Sequence, residues 1–253
     1  METVRDISLV FQRHVYQALR NPVLMIIGLI QPILYLCLFA PLLIGFAGKP
    51  GFPQGDSLQI YVPGLLVQLG LFGTTFAGFG IISEWRMGLL ERMRVTPVSR
   101  LALLLGRVLR DAFVLELQTL VLIIAAFAFG LRAPIAGVLA SLILVGLLAI
   151  TAASLSYAVA LTVKSENAFA PILNITTIPL LLLSGILLPM SLAPSWLDTL
   201  SRLNPLRYLV EAIRELFLGN YFSDRVFLGA GLIAVLAVVA VAIGTRKFRL
   251  ENA

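Results

Sequence analysis

Leu228-Gly-Ala-Gly-Leu-Ile-Ala-Val-Leu-Ala-Val-Val-Ala-Val-Ala-Ile243 contains no charged and no polar side chain. A helix crosses the hydrocarbon of a bilayer with about 20 predominantly apolar residues. Extended to 226–244, this stretch is one of six runs that meet the requirement, the others being 22–45, 59–82, 108–130, 134–163 and 168–190. All six are continuous and lack the ten-residue alternation of a membrane barrel. Pro22 opens the first run, at a helix position whose N–H has no intrahelical partner in any case. The predicted fold is all-α, a polytopic membrane protein with six transmembrane helices. The segments between the runs add an N-terminal interfacial amphipathic helix, a cytoplasmic helix, and short external re-entrant helices between the fifth and sixth spans.

Composition agrees. The chain is 59% hydrophobic and 13% charged, where a soluble domain has about 45–50% and about 25%. Disorder requires the opposite balance. One cysteine, Cys37, excludes an internal disulfide framework, and one histidine, His14, excludes a histidine metal cluster. Cys37 reads as a thiol packed inside a helix. The formal net charge of +6 comes from arginines crowded into loops, so nucleic acid is not an expected partner.

Those loops set the orientation. Arg5, Arg13, Arg20, Arg86, Arg92, Arg94, Arg100, Arg107, Arg110, Lys164, Arg246, Lys247 and Arg249 share one side. Lys49, Arg132, Arg202, Arg207, Arg214 and Arg225 share the other. Lysine and arginine are retained in the cytoplasm, so both termini are expected inside. The run from Val23 exceeds a secretory h-region and no small-residue cleavage pattern follows it, so it is expected to remain as a span.

Three segments do more than connect spans. Val4, Ile7, Phe11, Val15 and Ala18 recur at spacings of three and four, one apolar stripe on a helix. Such a helix suits the inner-leaflet interface, either as a simple anchor or as a lever on the first span. Residues 84–100 place Trp85, Leu89 and Met93 four apart among Glu84, Arg86, Glu91, Arg92 and Arg94. Pro97 disfavours helix at Thr96. This charged element is longer than a hairpin connector requires and is shaped to dock on a soluble partner. Between the fifth and sixth runs, residues 195–203 predict a short helix with Ser195 as N-cap, and Asn204-Pro205 break it. Leu206 to Leu218 predict a second helix ended by Gly219, with Arg207 and Arg214 spaced to pair with Glu211. Half-apolar, non-spanning helices are tolerated at membrane depth only against protein or a watery cavity, which suggests a lid over a pathway.

Gly88-Leu-Leu-Glu-Arg-Met-Arg-Val-Thr-Pro-Val-Ser-Arg100, followed by Leu104-Leu-Gly-Arg-Val-Leu109, resembles the cytoplasmic loop of ABC-2 type transporter permeases. So does Ser184-Gly-Ile-Leu-Leu-Pro189 continuing through Pro194-Ser-Trp-Leu197, Asn204-Pro-Leu-Arg-Tyr208 and Glu211-Ala-Ile-Arg214. The order and spacing cover nearly the whole chain and are most similar to the daunorubicin-resistance-like drug-efflux branch. Polysaccharide and teichoic-acid exporters share the plan. The resemblance implies one transmembrane domain over 1–253, divided into an interfacial helix (1–21), spans one and two (22–83), a coupling loop (84–107), spans three to five (108–190), external gate helices (191–225), and span six with a cytoplasmic tail (226–253). It also implies a bacterial cell membrane, a second permease subunit in a homodimer or related heterodimer, and two copies of a separate ATPase that binds ATP and Mg.

Carried over by position, Glu84, Arg86, Glu91, Arg92, Arg94 and Pro97 would couple to the ATPase. Ser184, Gly185, Pro189, Trp196, Asn204, Pro205 and Tyr208 would form the external gate. Gln68, Phe72, Phe76, Asn174, Thr176 and Thr177 would line the pathway between subunits, with interhelical packing as the alternative role for each. The implied cargo is a drug, a lipid or another amphipathic molecule, with a lipid-linked glycan as the alternative.

The chain has no Gly-x-x-x-x-Gly-Lys-Ser/Thr phosphate loop, so it is expected to be no enzyme by itself and to need no cofactor of its own. One rival is a proton-coupled secondary transporter, because an ionisable residue inside a span marks a functional site by default. Glu116 in the third run is such a residue. It could carry protons or pair with Arg110 or a neighbouring helix, while Asp111 and the nearby arginines read as interfacial. A membrane-embedded enzyme would need clustered acids or a Ser/His pair, and neither is present.

Overall fold

The computed structural model describes residues 2–20, 23–44, 56–88, 100–186 and 190–251. Every regular element among them is helical: α1 (Glu2–Arg20), α2 (Val23–Ile44), α3 (Ser57–Thr75), α4 (Gly78–Arg86), α5 (Arg100–Ala128), α6 (Ile135–Val163), α7 (Glu166–Leu182), α8 (Ser195–Ser201), α9 (Pro205–Leu218) and α10 (Asp224–Glu251), with one 3₁₀ turn at Met190–Leu192.

Among the described residues, four helical stretches are long and apolar enough to cross a membrane: Ser57–Arg86, Leu101–Ala128, Ile135–Val163 and Asp224–Phe248. A fifth arises if Arg5–Arg20 and Met25–Phe39, bent by 68°, count as one broken span. The run expected as a span at 168–190 forms α7, only 17 residues long. Pro171 and Pro179 interrupt its hydrogen-bond ladder, and it closes in a turn where Gly185 takes φ +73°. Of the segment expected as a coupling loop over 84–107, α4 takes in residues to Arg86 and α5 those from Arg100.

Helix α3 is the axis of the bundle, buried along nearly its whole length. Around it α2, α5, α6 and α9 contribute Leu36, Leu115, Leu148 and Ile213 to one apolar core. A smaller core joins α4, α5, α6, α7 and α10 through Ile81, Leu104, Tyr157, Phe169 and Phe248. α1 does not face lipid alone. Its stripe lies along α5, where Phe11 meets the ring of Phe113 edge-on at 5.9 Å.

The second span is broken at Phe76–Ala77. A break inside hydrocarbon frees backbone groups that must be bonded by protein. Ser156 of α6 does this: its hydroxyl accepts from Gly78 N–H at 2.9 Å and donates to Thr75 C=O. Gly78 permits the approach, since a Cβ there would stand 2.8 Å from Ser156 Oγ and 2.4 Å from Phe169 Cζ. Replacing Ser156 by Ala should therefore cost about 1–3 kcal/mol, read as a lowered thermal midpoint in detergent. Unchanged stability would show that the break does not depend on this hydroxyl.

Candidate functional site

At the arginine-rich end, the two helices that flank residues 89–99 are fastened to each other. Glu84, in the last turn of α4, pairs with Arg107 of α5 at 2.6 Å, and the Arg107 side chain is only 5% exposed. One turn further, Asp111 accepts from Arg110 and from Tyr157 of α6. Asp111 and Tyr157 are both buried. Arg86 pairs with Glu166 at the start of α7 at 3.3 Å, and Lys164 Nζ stands 5.6 Å over the Trp85 ring. Buried charges persist when they are paired and hydrogen-bonded. The result is a clasp joining α4, α5 and α6, with a surface pair reaching α7. His14 of α1 completes its wall, lining a small cavity of about 60 Å³ with Glu84, Arg107, Arg110 and Tyr157.

This geometry changes several sequence expectations. Asp111 and Arg107, expected at the membrane interface, are buried within the protein. Glu84 and Arg86 find partners within the chain. Glu91, Arg92, Arg94 and Pro97 lie outside the described residues. Arg110 pairs with Asp111 and not with Glu116. The Glu116 carboxylate instead packs where a side chain on Gly146 of α6 would stand, 2.7 Å from Oε1.

Midway along the bundle, Gln68, Phe72 and Phe76 do come together. They line a cavity of about 200 Å³ with Ile27, Gly28 and Pro32 of α2. Phe72 and Phe76 continue into a larger space of about 590 Å³ that reaches Arg110 and Asp111. Residues of α7 line neither cavity. Asn174 and Thr176 are exposed on α7 while Thr177 is buried, and the Thr176 hydroxyl is used by Ile172 C=O at 2.9 Å. The six residues thus divide into two groups.

At the opposite end, α8 and α9 form a cap. Asn204 is the N-cap of α9, its Oδ1 accepting from Leu206 N–H at 3.0 Å, and Pro205 follows at the first helical position. Its Nδ2 donates to Leu180 C=O of α7 at 2.6 Å. Tyr208 Oη donates to Arg202 C=O at 2.9 Å. Ser184 is buried, its hydroxyl donating to Leu181 C=O at 2.5 Å. The turn that follows, through Gly185 and Ile186, lies so close to α3 that a Cβ on Gly64 would stand 2.3 Å from Ile186 O. Trp196 is 67% exposed, and Pro189 lies outside the described residues.

Ser195 is the first residue of α8, not its cap, because Pro194 holds the extended conformation before it. Gly219 ends α9 at φ +86° as its position implied. Arg207 pairs with Glu211 at 2.9 Å as the spacing predicts, and also with Asp198 at 2.7 Å. Arg202 and Arg207 hold the Asp198 carboxyl below its ordinary range by hydrogen bonding. Arg214 departs from expectation: it donates to Ile60 C=O of α3 at 2.9 Å and to Gly185 C=O at 2.8 Å. Burial pushes its guanidinium down to about 10 against the pull of Glu211, so it stays charged at neutral pH. Sequence spacing could not reveal this, since an arginine three residues from a glutamate reads as a local pair.

The family described as "ABC-2 type transporter" matches residues 5–218. The chain is 28% identical to the putative transport permease ycf38 of Cyanophora paradoxa over 88% of this chain and 79% of that protein. It is 26% identical to the daunorubicin resistance ABC transporter permease protein DrrB1 of Streptomyces coeruleorubidus, over 92% of this chain and 82% of the relative. It is 25% identical to the probable doxorubicin resistance ABC transporter permease protein DrrC of Mycobacterium tuberculosis, over 90% and 83%.

Removing one member of the clasp leaves its buried partner short of compensation. Glu84→Ala should lower stability by roughly 3 kcal/mol, and the exchange Glu84→Arg with Arg107→Glu should recover part of it. Equal losses in the single and double variants would show that the pair does not hold the helices together. His14 carries a pH signature: burial, then Arg107, Arg110 and Arg13, lower it from 6.5 to about 4. The fold therefore holds His14 neutral, and its contribution is complete above pH 6.5 and lost as pH falls towards 4. The thermal midpoint of His14→Gln should fall less steeply over that window than that of the unaltered chain, and parallel curves would refute the assignment.

Proposed function

The chain belongs to the ABC-2 type transporter family, and from that premise we propose that it is the permease subunit of an ATP-driven exporter. It is a multi-pass membrane protein in this reading, with six spans: α2, α3 with α4, α5, α6, α7 and α10. α1 lies in the inner interface, and α8 and α9 dip into the outer leaflet as a gate. Both termini face the cytoplasm of a bacterial cell. A second permease subunit completes the pathway, and two ATPase subunits bind ATP and Mg.

The observation that carries the proposal is the Glu84–Arg107 pair. It fixes the base of the segment between the second and third spans, so force applied to residues 89–99 would pass into α4 and α5 without being dissipated in a slack loop. Asp111 and Tyr157 extend the same connection to α6. ATP-driven closure of the partner would then tilt the spans and alternate the access of the cavity. A ligand or partner moves such an equilibrium only through unequal interaction with the two states, and a rigid joint is what delivers that inequality.

The relatives' names include daunorubicin and doxorubicin resistance permeases, which favours an amphipathic drug or lipid cargo over a lipid-linked glycan. Proton coupling through Glu116 is the remaining alternative.

Reconstitution decides among these readings. Vesicles containing this chain and its ATPase should export amphiphile on addition of ATP, and vesicles containing the chain alone should not. Glu91→Arg or Arg92→Glu should reduce transport about tenfold or more while leaving the ATPase able to bind ATP, whereas Glu116→Gln should leave ATP-driven transport within about twofold. Transport by the chain alone, driven by a proton gradient and abolished by Glu116→Gln, would replace the exporter reading with a secondary transporter.

A further inference from the structure

Helix α1 has two faces, and the apolar stripe that suits the membrane by sequence is turned inward. Phe11 meets Phe113, and a Cβ on Gly106 would stand 2.5 Å from Val10 Cγ1. His14 and Ala18 on the same side line the two cavities that reach Arg110. The opposite face is left open. Among the described residues Arg5, Leu9, Arg13, Tyr16 and Arg20 are all exposed, Leu9 and Tyr16 by more than half. Their spacing of four, four, three and four residues sets them in one row along the helix.

That row lies at membrane depth. Val10 and Phe11 rest on Gly106 and Phe113, which belong to the membrane-crossing stretch Leu101–Ala128, so the far side of α1 looks away from the bundle at the level of the inner headgroups. The 68° bend between α1 and the helix that follows suits an element lying along a bilayer before one that enters it. Leu9 and Tyr16, with exposed Leu19 beside them, form an apolar strip. Arg5 and Arg13 flank it and have no ion pair or hydrogen bond among the described residues. Arg20 lies across Tyr16, its Cζ 4.4 Å from the ring centroid and its Nη2 donating to the hydroxyl at 2.7 Å. The acids of α1, Glu2 and Asp6, fall in its first two turns, so from Leu9 to Arg20 its charge is purely cationic. Arginine stems can lie along such a strip while the guanidinium groups reach for phosphate.

We propose that this face of α1 binds anionic phospholipid of the inner leaflet, and that the bound lipid seats α1 against the clasp. Anionic headgroups would take Arg5, Arg13 and Arg20, while acyl chains cover Leu9, Tyr16 and Leu19. A zwitterionic headgroup carries its own cation and forgoes most of the attraction. A soluble acidic partner would meet the arginines but leave the apolar strip uncovered. Each basic residue at an anionic surface strengthens binding about fivefold. The other face of α1 places His14 in the wall shared by Glu84, Arg107 and Arg110, so lipid composition would act directly on the clasp. The site rests on the exporter reading for its inner-leaflet orientation alone, and it can be tested without the ATPase.

The full chain is placed in nanodiscs of phosphatidylcholine and in nanodiscs of an equimolar mixture with phosphatidylglycerol, and amide hydrogen exchange in α1 is followed by mass spectrometry. Phosphatidylglycerol should slow that exchange about tenfold or more, and raised salt should shrink the effect. Arg5→Gln, Arg13→Gln and Arg20→Gln together should bring the two lipids to within about twofold of each other. Lysine at the same three positions keeps the charge and should restore most of the difference, which separates a lost site from a damaged fold. Equal exchange of the unaltered chain in the two lipids would overturn the proposal, as would a difference that survives the glutamine variant or one that lysine fails to restore. Protection that appears only when the ATPase is added, in either lipid, would give the face to that partner instead. A lipid difference that stands while ATP-driven transport fails would keep this site and remove the exporter reading.

Discussion

A backbone amide or carbonyl in hydrocarbon has no water to bond, and this constraint accounts for several of the chain's uncharged polar side chains. Ser156 serves the broken second span at Thr75 and Gly78. Asn204 serves Leu180 near the end of α7, and Gln118 serves Met25 in the first turn of α2. Gln59 donates to Arg132 C=O in the connection between α5 and α6. Thr75, Leu180 and Arg132 lie at a kink, a helix end and a connection, and each donor side chain comes from elsewhere in the bundle. A bond needed to satisfy the backbone therefore also fixes how two helices sit against each other.

Charge follows a second logic, because a paired charge can be buried and an unpaired one is expensive. The ionised groups gather at the two ends of the bundle. At one end Glu84, Arg107, Arg110 and Asp111 join three helices. At the other, Asp198 is shared by Arg202 and Arg207, and Glu215 pairs with Arg225 at 3.0 Å. Arg214 is the exception, a cation bonded to two backbone carbonyls. It links α9 to α3 and to the turn after α7 at once, a connection that an arginine–glutamate pair within one helix would not provide.

Apolar length made most of the fold legible in the sequence. The run at 134–163 matches α6 within one residue, and Asn204, Pro205 and Gly219 mark the ends of α9 because caps are local events. Features that depend on another helix were hidden. The break at Phe76–Ala77 is held by a serine some eighty residues away, and Arg107 reads as a loop charge until α5 is seen to start at Arg100. The run expected at 168–190 extends past Leu182, where α7 ends before the turn through Gly185. Gln68 and Phe72 of α3 and Phe76 at the break border one cavity against α2. Asn174, Thr176 and Thr177 of α7 border neither of these two cavities within the chain.

The clasp and the large cavity share residues, and this sharing bears on how work could reach cargo. Arg110 lines both the small cavity beside His14 and the large one, while its partner Asp111 borders the large cavity and is bonded to α6 through Tyr157. Gly80 and Ala77 of the second span also face both spaces. Close-packed interiors shift between discrete arrangements more readily than they deform smoothly. A displacement of α4 against α5 that loosened Glu84 from Arg107 would move Ala77 and Gly80, and with them the cavity wall. No long relay is required: Glu84 of the clasp lies one turn of α4 beyond Gly80, which borders the large cavity.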